Sequence, residues 1–183
     1  MLTLFHDLPR PASAVAVARL ERLAAEGLAV AFEALEIVGI DLTLPVTDDV
    51  RRELAEVADD AAAEGLALRE PPALPPTGLC HVVGAVAERA GAGAAWRTAA
   101  YRALWQEGAD LADRAVLADL AVDVGLDRPE VETALADRLA LAEVRRRTAQ
   151  LRGEGVGGVP TLLAHRTLVP GLLDEDDLRA LAG

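Results

Sequence analysis

The apolar positions near the start of the chain predict a strand, a helix and a second strand. Residues 3–6 are predicted to form a short buried strand, and residues 11–26 a helix that ends before Gly27. Proline suits the first helical position, here Pro11, because its missing N–H costs no hydrogen bond there. Residues 28–34 are apolar and short between helix breakers, which indicates a second buried strand.

The middle of the chain has the apolar spacing of helices. Apolar residues from position 50 to position 61 lie on one face and predict a single amphipathic helix. A proline-rich connector covers residues 69–78, and Thr77 within it is expected to cap the next helix. Further apolar stripes predict helices over residues 96–104 and 116–124, and an acidic first turn predicts another that starts at Asp127.

The last part of the chain returns to strands. A helix is predicted over residues 137–152, followed by a glycine-rich break and a hairpin of strands 159–164 and 167–169. A final amphipathic helix covers residues 174–182. The order is therefore β-α-β, a helical block, and α-β-β-α. It predicts an α/β protein with a mixed sheet, helices on both faces and a right-handed β-α-β crossover.

Composition narrows the function classes. The formal net charge is −12, and with no basic stripe this argues against nucleic acid as a partner. No apolar run is long enough for a bilayer, and the start of the chain lacks a signal peptide, so we expect a cytoplasmic protein without a membrane partner. All positive side chains are arginine, which together with abundant alanine is typical of a GC-rich bacterial genome.

The scarce cysteine and histidine residues restrict the chemistry. The single Cys80 excludes an intramolecular disulfide, and dithiol exchange needs two thiols. His6, His81 and His165 are scattered without metal-ligand spacing, so no metal site is expected.

Three segments resemble the DsbA-like family, which includes disulfide oxidoreductases, 2-hydroxychromene-2-carboxylate isomerases and kappa-class glutathione transferases. They are Phe5-His6-Asp7-Leu8-Pro9-Arg10-Pro11-Ala12-Ser13, the helical stretch at 100–126, and Gly155-Val156-Gly157-Gly158-Val159-Pro160-Thr161. The resemblance implies a thioredoxin-like fold made of residues 1–45 and 137–183, with an all-helical insertion over 46–136. It also implies a cis bond before Pro160.

The active-site turn departs from the family pattern. Disulfide-active members carry Cys-Pro-x-Cys there, and the isomerase and transferase members resemble Ser-Pro-x-Ser, whereas this chain has Arg10-Pro11-Ala12-Ser13. The resemblance implies that Ser13 and Arg10 are the catalytic candidates and that Pro11, Val159 and Pro160 bind the ligand. Glutathione is the cofactor that such a site would take.

Each of these residues also has a structural interpretation. Ser13 can satisfy backbone groups of the first helical turn, and Pro160 can simply shape a turn. Arg10 at a helix N-terminus can pair with Asp7 or another acid, extend into water, or hold an anionic ligand together with the N–H groups of Ala12 and Ser13. Asp7 can pair with Arg10, face the pocket or be solvated.

Four further residues allow two interpretations. His6 is interpreted as a structural histidine rather than a base. Tyr101 and Trp105 share a helix face, which favours the core over an aromatic pocket. Cys80 is a candidate reactive thiol in the first turn of its helix, although cysteine is more often simply buried.

Two functions follow from these observations. The first is a DsbA-like protein without the paired cysteines that binds a small thiol, carboxylate or peptide-like ligand, with glutathione-type isomerisation or transfer as its catalytic form. The second is a catalytically inactive thioredoxin-fold binding or interaction module. A homodimer is compatible with either function.

Overall fold

A four-stranded mixed sheet forms the centre of the protein; the computed structural model describes residues 1–183. Its strands are β1 (Leu2–His6), β2 (Val30–Ala34), β3 (Thr161–Ala164) and β4 (Thr167–Pro170), in the order β2-β1-β3-β4. β1 is parallel to β2 and antiparallel to β3, and β3 is antiparallel to β4. The predicted α/β class and the mixed sheet are confirmed.

Nine helices surround the sheet, and six of them follow one another between β2 and the last long helix. The helices are α1 (Pro11–Ala25), α2 (Asp48–Glu56), α3 (Ala58–Ala63), α4 (Gly78–Arg89), α5 (Gly93–Trp105), α6 (Arg114–Asp123), α7 (Arg128–Ala136), α8 (Arg138–Gly153) and α9 (Glu175–Ala182). None is both long and apolar enough to cross a bilayer.

Two local predictions were wrong. The helix expected over residues 50–61 is divided into α2 and α3, because Val57 leaves helical geometry at φ −95° and ψ 7°. Thr77 precedes α4 but makes no capping bond, since its backbone has φ −104° and ψ −6° rather than the extended geometry of a cap. At the start of α2, by contrast, Thr47 does form a cap, and its hydroxyl accepts from the Val50 N–H.

The helical region and the sheet share one hydrophobic core. Leu4 of β1 and the fully buried Leu117 of α6 belong to the same cluster of 33 buried residues. Trp105 at the end of α5 is also fully buried, and its indole N–H donates to the Leu8 carbonyl at 2.8 Å. The turn that follows β1 is therefore held in place by α5.

A buried arginine fixes α3 against α1. Arg19 donates to Glu64 at 2.8 Å, to Asp60 at 2.6 Å and to the Leu173 carbonyl at 2.6 Å. These three bonds join α1, α3 and the segment before α9. They satisfy a charge that would be costly to bury alone.

Candidate functional site

The N-terminus of α1 is capped by a side chain from another helix. Arg10 is the N-cap residue, with φ −113° and ψ 117°, but its own side chain makes no capping bond. Instead, Glu53 of α2 accepts the Ala12 N–H on Oε1 at 3.1 Å. Its other oxygen lies 2.6 Å from Nη2 of Arg10. Glu53 thus supplies the anion that the helix N-terminus favours.

This arrangement decides between the sequence interpretations of Arg10. Arg10 pairs with Glu53. The observed structural role is therefore a pair with an acid other than Asp7, and not simple extension into water. Burial raises the pKa of the Glu53 carboxyl, while Arg10 and the Ala12 N–H act in the opposite direction. The Arg10 side chain remains about a third exposed, at 36%. One edge of its guanidinium can therefore still meet solvent or a ligand.

Ser13 lies behind the helix N-terminus rather than at the surface. The residue is completely buried; its Oγ makes no hydrogen bond of good geometry, and the hydroxyl close to it is that of the buried Tyr101. Its backbone N–H donates to the Arg10 carbonyl at 3.0 Å. A ligand outside the protein cannot reach the hydroxyl without movement of the chain. The structure therefore gives no support to a catalytic role for Ser13.

Asp7 is a buried acceptor rather than a solvated carboxylate. It has no exposed surface. Oδ1 accepts from the Leu8 N–H at 2.9 Å and from Nε2 of His81 at 2.7 Å, and Oδ2 accepts from the Ile37 N–H at 2.7 Å. The interaction with His81 fixes that ring on α4 and leaves its Nδ1 free of a protein partner.

The loop before β3 presents unpaired backbone groups. The Val159–Pro160 peptide bond is cis. Val159 makes no hydrogen bond through its N–H or its carbonyl, whereas the flanking Pro160 carbonyl accepts from the Gly171 N–H at 2.9 Å. Pro160 and Pro11 are both buried and shape the backbone rather than face solvent.

A groove of about 540 Å³ runs along this loop. It is lined by the half-buried Val159 and the preceding glycine-rich residues, and also by Arg10 and Arg152. The structure brings Arg10 and Val159 together in the groove but leaves Ser13 and Cys80 outside it. We call this feature the loop groove.

A separate cavity of about 290 Å³ lies between β1, β2 and helices α4, α5 and α8. Nδ1 of His6 is 3.0 Å from the Tyr101 hydroxyl, and the His6 and His81 ring centres are 6.2 Å apart. Burial, His81 and Arg97 together hold the pKa of His6 well below its usual range. Burial, with Asp7 and Cys80 nearby, raises the pKa of Tyr101 well above its usual range. This feature is called the histidine cavity below.

Cys80 and Trp105 take the positions that the structural interpretation expects, whereas Tyr101 does so only in part. Cys80 has no exposed surface, and burial together with the Asp7 charge raises the pKa of its thiol. An accessible thiolate is therefore not what this geometry favours. Trp105 is in the core, whereas Tyr101 is buried and also lines the histidine cavity.

Sequence reasoning missed Glu53 and His81. Glu53 lies among the acidic and basic residues of α2, and nothing in its local pattern distinguishes it from a solvated glutamate. His81 lies on α4 far from Asp7 in sequence, so their contact depends on tertiary packing. One feature of the sequence did point to such a contact. Arg10 is a poor N-cap residue, which implies that an acid from elsewhere in the chain supplies the cap.

The family model of the DSBA-like thioredoxin domain matches residues 1–182. The chain belongs to the DsbA-like thioredoxin family. Its thioredoxin-like fold follows from this match. No curated protein matches the chain.

Solved structures agree with the family. A probable DsbA oxidoreductase from Streptomyces coelicolor is 26% identical with a TM-score of 0.85, over 98% of this chain and 87% of that one. A 2-hydroxychromene-2-carboxylate isomerase is 22% identical with a TM-score of 0.81, over 98% of this chain and 91% of that one. The cytosolic disulfide reductase DsbM from Pseudomonas aeruginosa, solved with GSH, is 23% identical with a TM-score of 0.63, over 98% of this chain and 95% of that one.

Proposed function

We propose that this DsbA-like protein is a binding module that holds an extended, peptide-like ligand in the loop groove and performs no thiol chemistry. The observation that carries the proposal is the position of the Glu53 carboxylate. It occupies the N-terminus of α1, where it takes both the Ala12 N–H and the Arg10 guanidinium. A ligand thiolate held there would have to displace a charge of the same sign.

The residues needed for catalysis are also missing or inaccessible. Dithiol exchange needs an attacking and a resolving thiol, and the chain has only Cys80, which is buried. Glutathione-type isomerisation or transfer needs a group that polarises the cofactor thiol, and the only hydroxyl of the turn, that of Ser13, is buried. The inactive-module alternative is thus the better supported of the two.

The loop groove supplies what a peptide-like ligand requires. The free N–H and carbonyl of Val159 can pair with an extended backbone in the manner of an added strand. The exposed edge of Arg10 and the nearby Arg152 favour a ligand with a carboxylate, although the protein as a whole is strongly acidic. Glutathione fits this description, and the Pseudomonas aeruginosa relative was solved with GSH.

Calorimetry with glutathione and S-methylglutathione tests the proposal. Because only backbone and carboxylate groups are recognised, the Kd values of the two ligands should agree within about threefold. A tenfold difference in Kd, by comparison, corresponds to about 1.4 kcal/mol. Arg10→Ala should weaken both by about tenfold, the usual size of a lost charge-assisted hydrogen bond at a partly exposed site. Arg114→Ala is the matched control, since Arg114 is exposed on α6 and lies outside the groove.

Three outcomes would count against the proposal. Glutathione that binds far more tightly than its S-methyl derivative would show that the thiol is recognised. Equal binding by the native protein and Arg10→Ala would remove Arg10 from the site. Absence of binding by both ligands would leave the loop groove without the peptide-like ligand that we assign to it.

A further inference from the structure

The histidine cavity is a second site that the loop groove does not explain. No residue lines both features. Its floor consists of His6, His81 and Tyr101, each between 5% and 6% exposed. Its walls are mainly apolar and include Phe32, Trp96 and Ala100. An apolar cavity with a few convergent polar groups is the usual form of a small-molecule site.

The floor offers two unpaired ring nitrogens. Nδ1 of His6 is engaged by the Tyr101 hydroxyl, and Nε2 of His81 by the Asp7 carboxylate. Nε2 of His6 and Nδ1 of His81 have no protein partner, although both rings are more than nine-tenths buried and line the cavity. Neither nitrogen is among the unpaired side-chain atoms that are sealed from solvent, so both open onto the cavity, where a ligand can bond them.

The charges around the cavity argue against an ionic ligand. The two lining arginines are already paired: Arg97 with Glu21 and Glu88, and Arg147 with Glu33 and Glu154. The lining contains three glutamates against these two arginines, so an anion gains little at the rim. A cation is opposed at the floor, where burial, followed by His81 and Arg97, lowers the pKa of His6 and so disfavours further positive charge.

Size and shape indicate an aromatic molecule. A cavity of about 290 Å³ is at the small end of ligand sites, which span roughly 300–1,000 Å³. Trp96 and the aliphatic walls provide flat apolar surfaces, whereas the face of Phe32 is already covered by the Arg97 guanidinium at 4.1 Å. A hydroxyl both donates and accepts, so it can satisfy either tautomer of His6 and the free nitrogen of His81.

We propose that the histidine cavity binds a small uncharged aromatic molecule that carries a hydroxyl group, with the free ring nitrogens of His6 and His81 as its hydrogen-bond partners. This site is independent of peptide binding in the loop groove. The two can therefore be tested separately on the same protein.

Equilibrium dialysis at neutral pH with 2-naphthol, naphthalene and 2-naphthoate tests the chemistry of the ligand. The native protein should bind 2-naphthol about fivefold more tightly than naphthalene, as expected for a hydrogen bond made to a buried partner. It should bind 2-naphthoate about tenfold more weakly than 2-naphthol, because the carboxylate must be desolvated without a free cation. Equal or tighter binding of 2-naphthoate, or no binding of 2-naphthol, would overturn the proposal.

Two variants locate the site. Ala85 is exposed on α4 at the edge of the cavity, so Ala85→Leu should narrow the entrance without disturbing the core and should weaken 2-naphthol binding by about tenfold. Ala62→Leu, at an exposed position of α3 outside the cavity, is the matched control and should bind like the native protein. Unchanged binding by Ala85→Leu would place the ligand elsewhere and contradict the assignment.

A third variant tests the hydrogen bond. His6→Leu keeps a buried side chain but removes the ring nitrogen, so the preference for 2-naphthol over naphthalene should fall to about twofold or less. A preference that stays at the native value in folded His6→Leu would rule out His6 as the partner. Circular dichroism establishes that each variant is folded, and the surface variant Ala85→Leu decides the location even when His6→Leu does not fold.

Discussion

Replacing Glu53 by alanine should destabilise the protein and open the N-terminus of α1. In the structure, the Glu53 carboxylate accepts the Ala12 N–H at 3.1 Å and lies 2.6 Å from the Arg10 guanidinium. Glu53→Ala removes both contacts. It leaves the Ala12 N–H without an acceptor and releases Arg10 from its partner.

The magnitude follows from the two contacts. A lost helix cap costs typically about 1 kcal/mol. The Arg10 pair adds at most about 1 kcal/mol, because the guanidinium is 36% exposed and screened by solvent. The raised pKa of Glu53 shows that burial costs its charged form more than Arg10 and the Ala12 N–H return, so the ion pair adds little beyond the cap. We therefore expect a net loss of about 1–2 kcal/mol, which for a chain of this size lowers Tm by about 2–8 °C.

Urea denaturation at neutral pH measures this loss. Glu56→Ala is the matched control, since Glu56 is exposed on the same helix and should change stability by no more than about 0.5 kcal/mol. Glu53→Gln retains an oxygen acceptor for the Ala12 N–H and should lose less than Glu53→Ala. Equal losses for Glu53→Ala and Glu56→Ala would refute the argument that Glu53 caps α1.

The same pKa shift gives a pH dependence. A glutamate whose pKa is raised on folding binds more protons in the folded state, so its contribution to stability is full below the unfolded pKa and is lost as pH rises through the folded pKa. The native protein should therefore gain stability relative to Glu53→Gln as the pH falls towards about 4.3, the ordinary glutamate pKa. A stability difference that does not change with pH would contradict the assigned shift.

Three other measurements test separate parts of the account. Insulin reduction with dithiothreitol should proceed at the uncatalysed rate, because the chain has one cysteine, and turnover like that of thioredoxin would contradict this. Cys80 should react with a thiol reagent only after denaturation, since it is fully buried with a raised pKa; rapid labelling of native protein would argue for a reactive thiol. Because the pKa of His6 is lowered on folding, the free energy of unfolding should fall as pH drops below about 6.5. His6→Leu should remove that part of the pH dependence, and the same pH dependence in both proteins would exclude His6 as the cause.

Much of the fold was predictable because local patterns set it. The short apolar strands, the glycine-bounded helices and the helix start at Asp127 are all visible in the sequence and present in the structure. The break at Val57 was not predictable, since the apolar spacing continues through it and packing of the two short helices against α1 decides the geometry.

The candidate site was predictable only in part. The poor cap at Arg10 and the sequence around Val159 pointed to two loops that line the loop groove, because those are local features. The contacts of Glu53 with Ala12 and of His81 with Asp7 join residues 41 and 74 positions apart, and charge or burial patterns do not specify such pairs. They arise when α2 and α4 are packed beside the turn after β1.

The amide spectrum of the ¹⁵N-labelled protein during titration with glutathione and S-methylglutathione tests the central claim most directly. The account predicts that both ligands shift the amide signals of Gly157, Gly158 and Val159 alike. The signals of Ala12 and Ser13 should stay in place, because the Glu53 carboxylate and the Arg10 carbonyl already accept their protons. Shifts of Ala12 and Ser13 that appear with glutathione but not with its S-methyl derivative would contradict it, since they would place a recognised thiol at the N-terminus of α1.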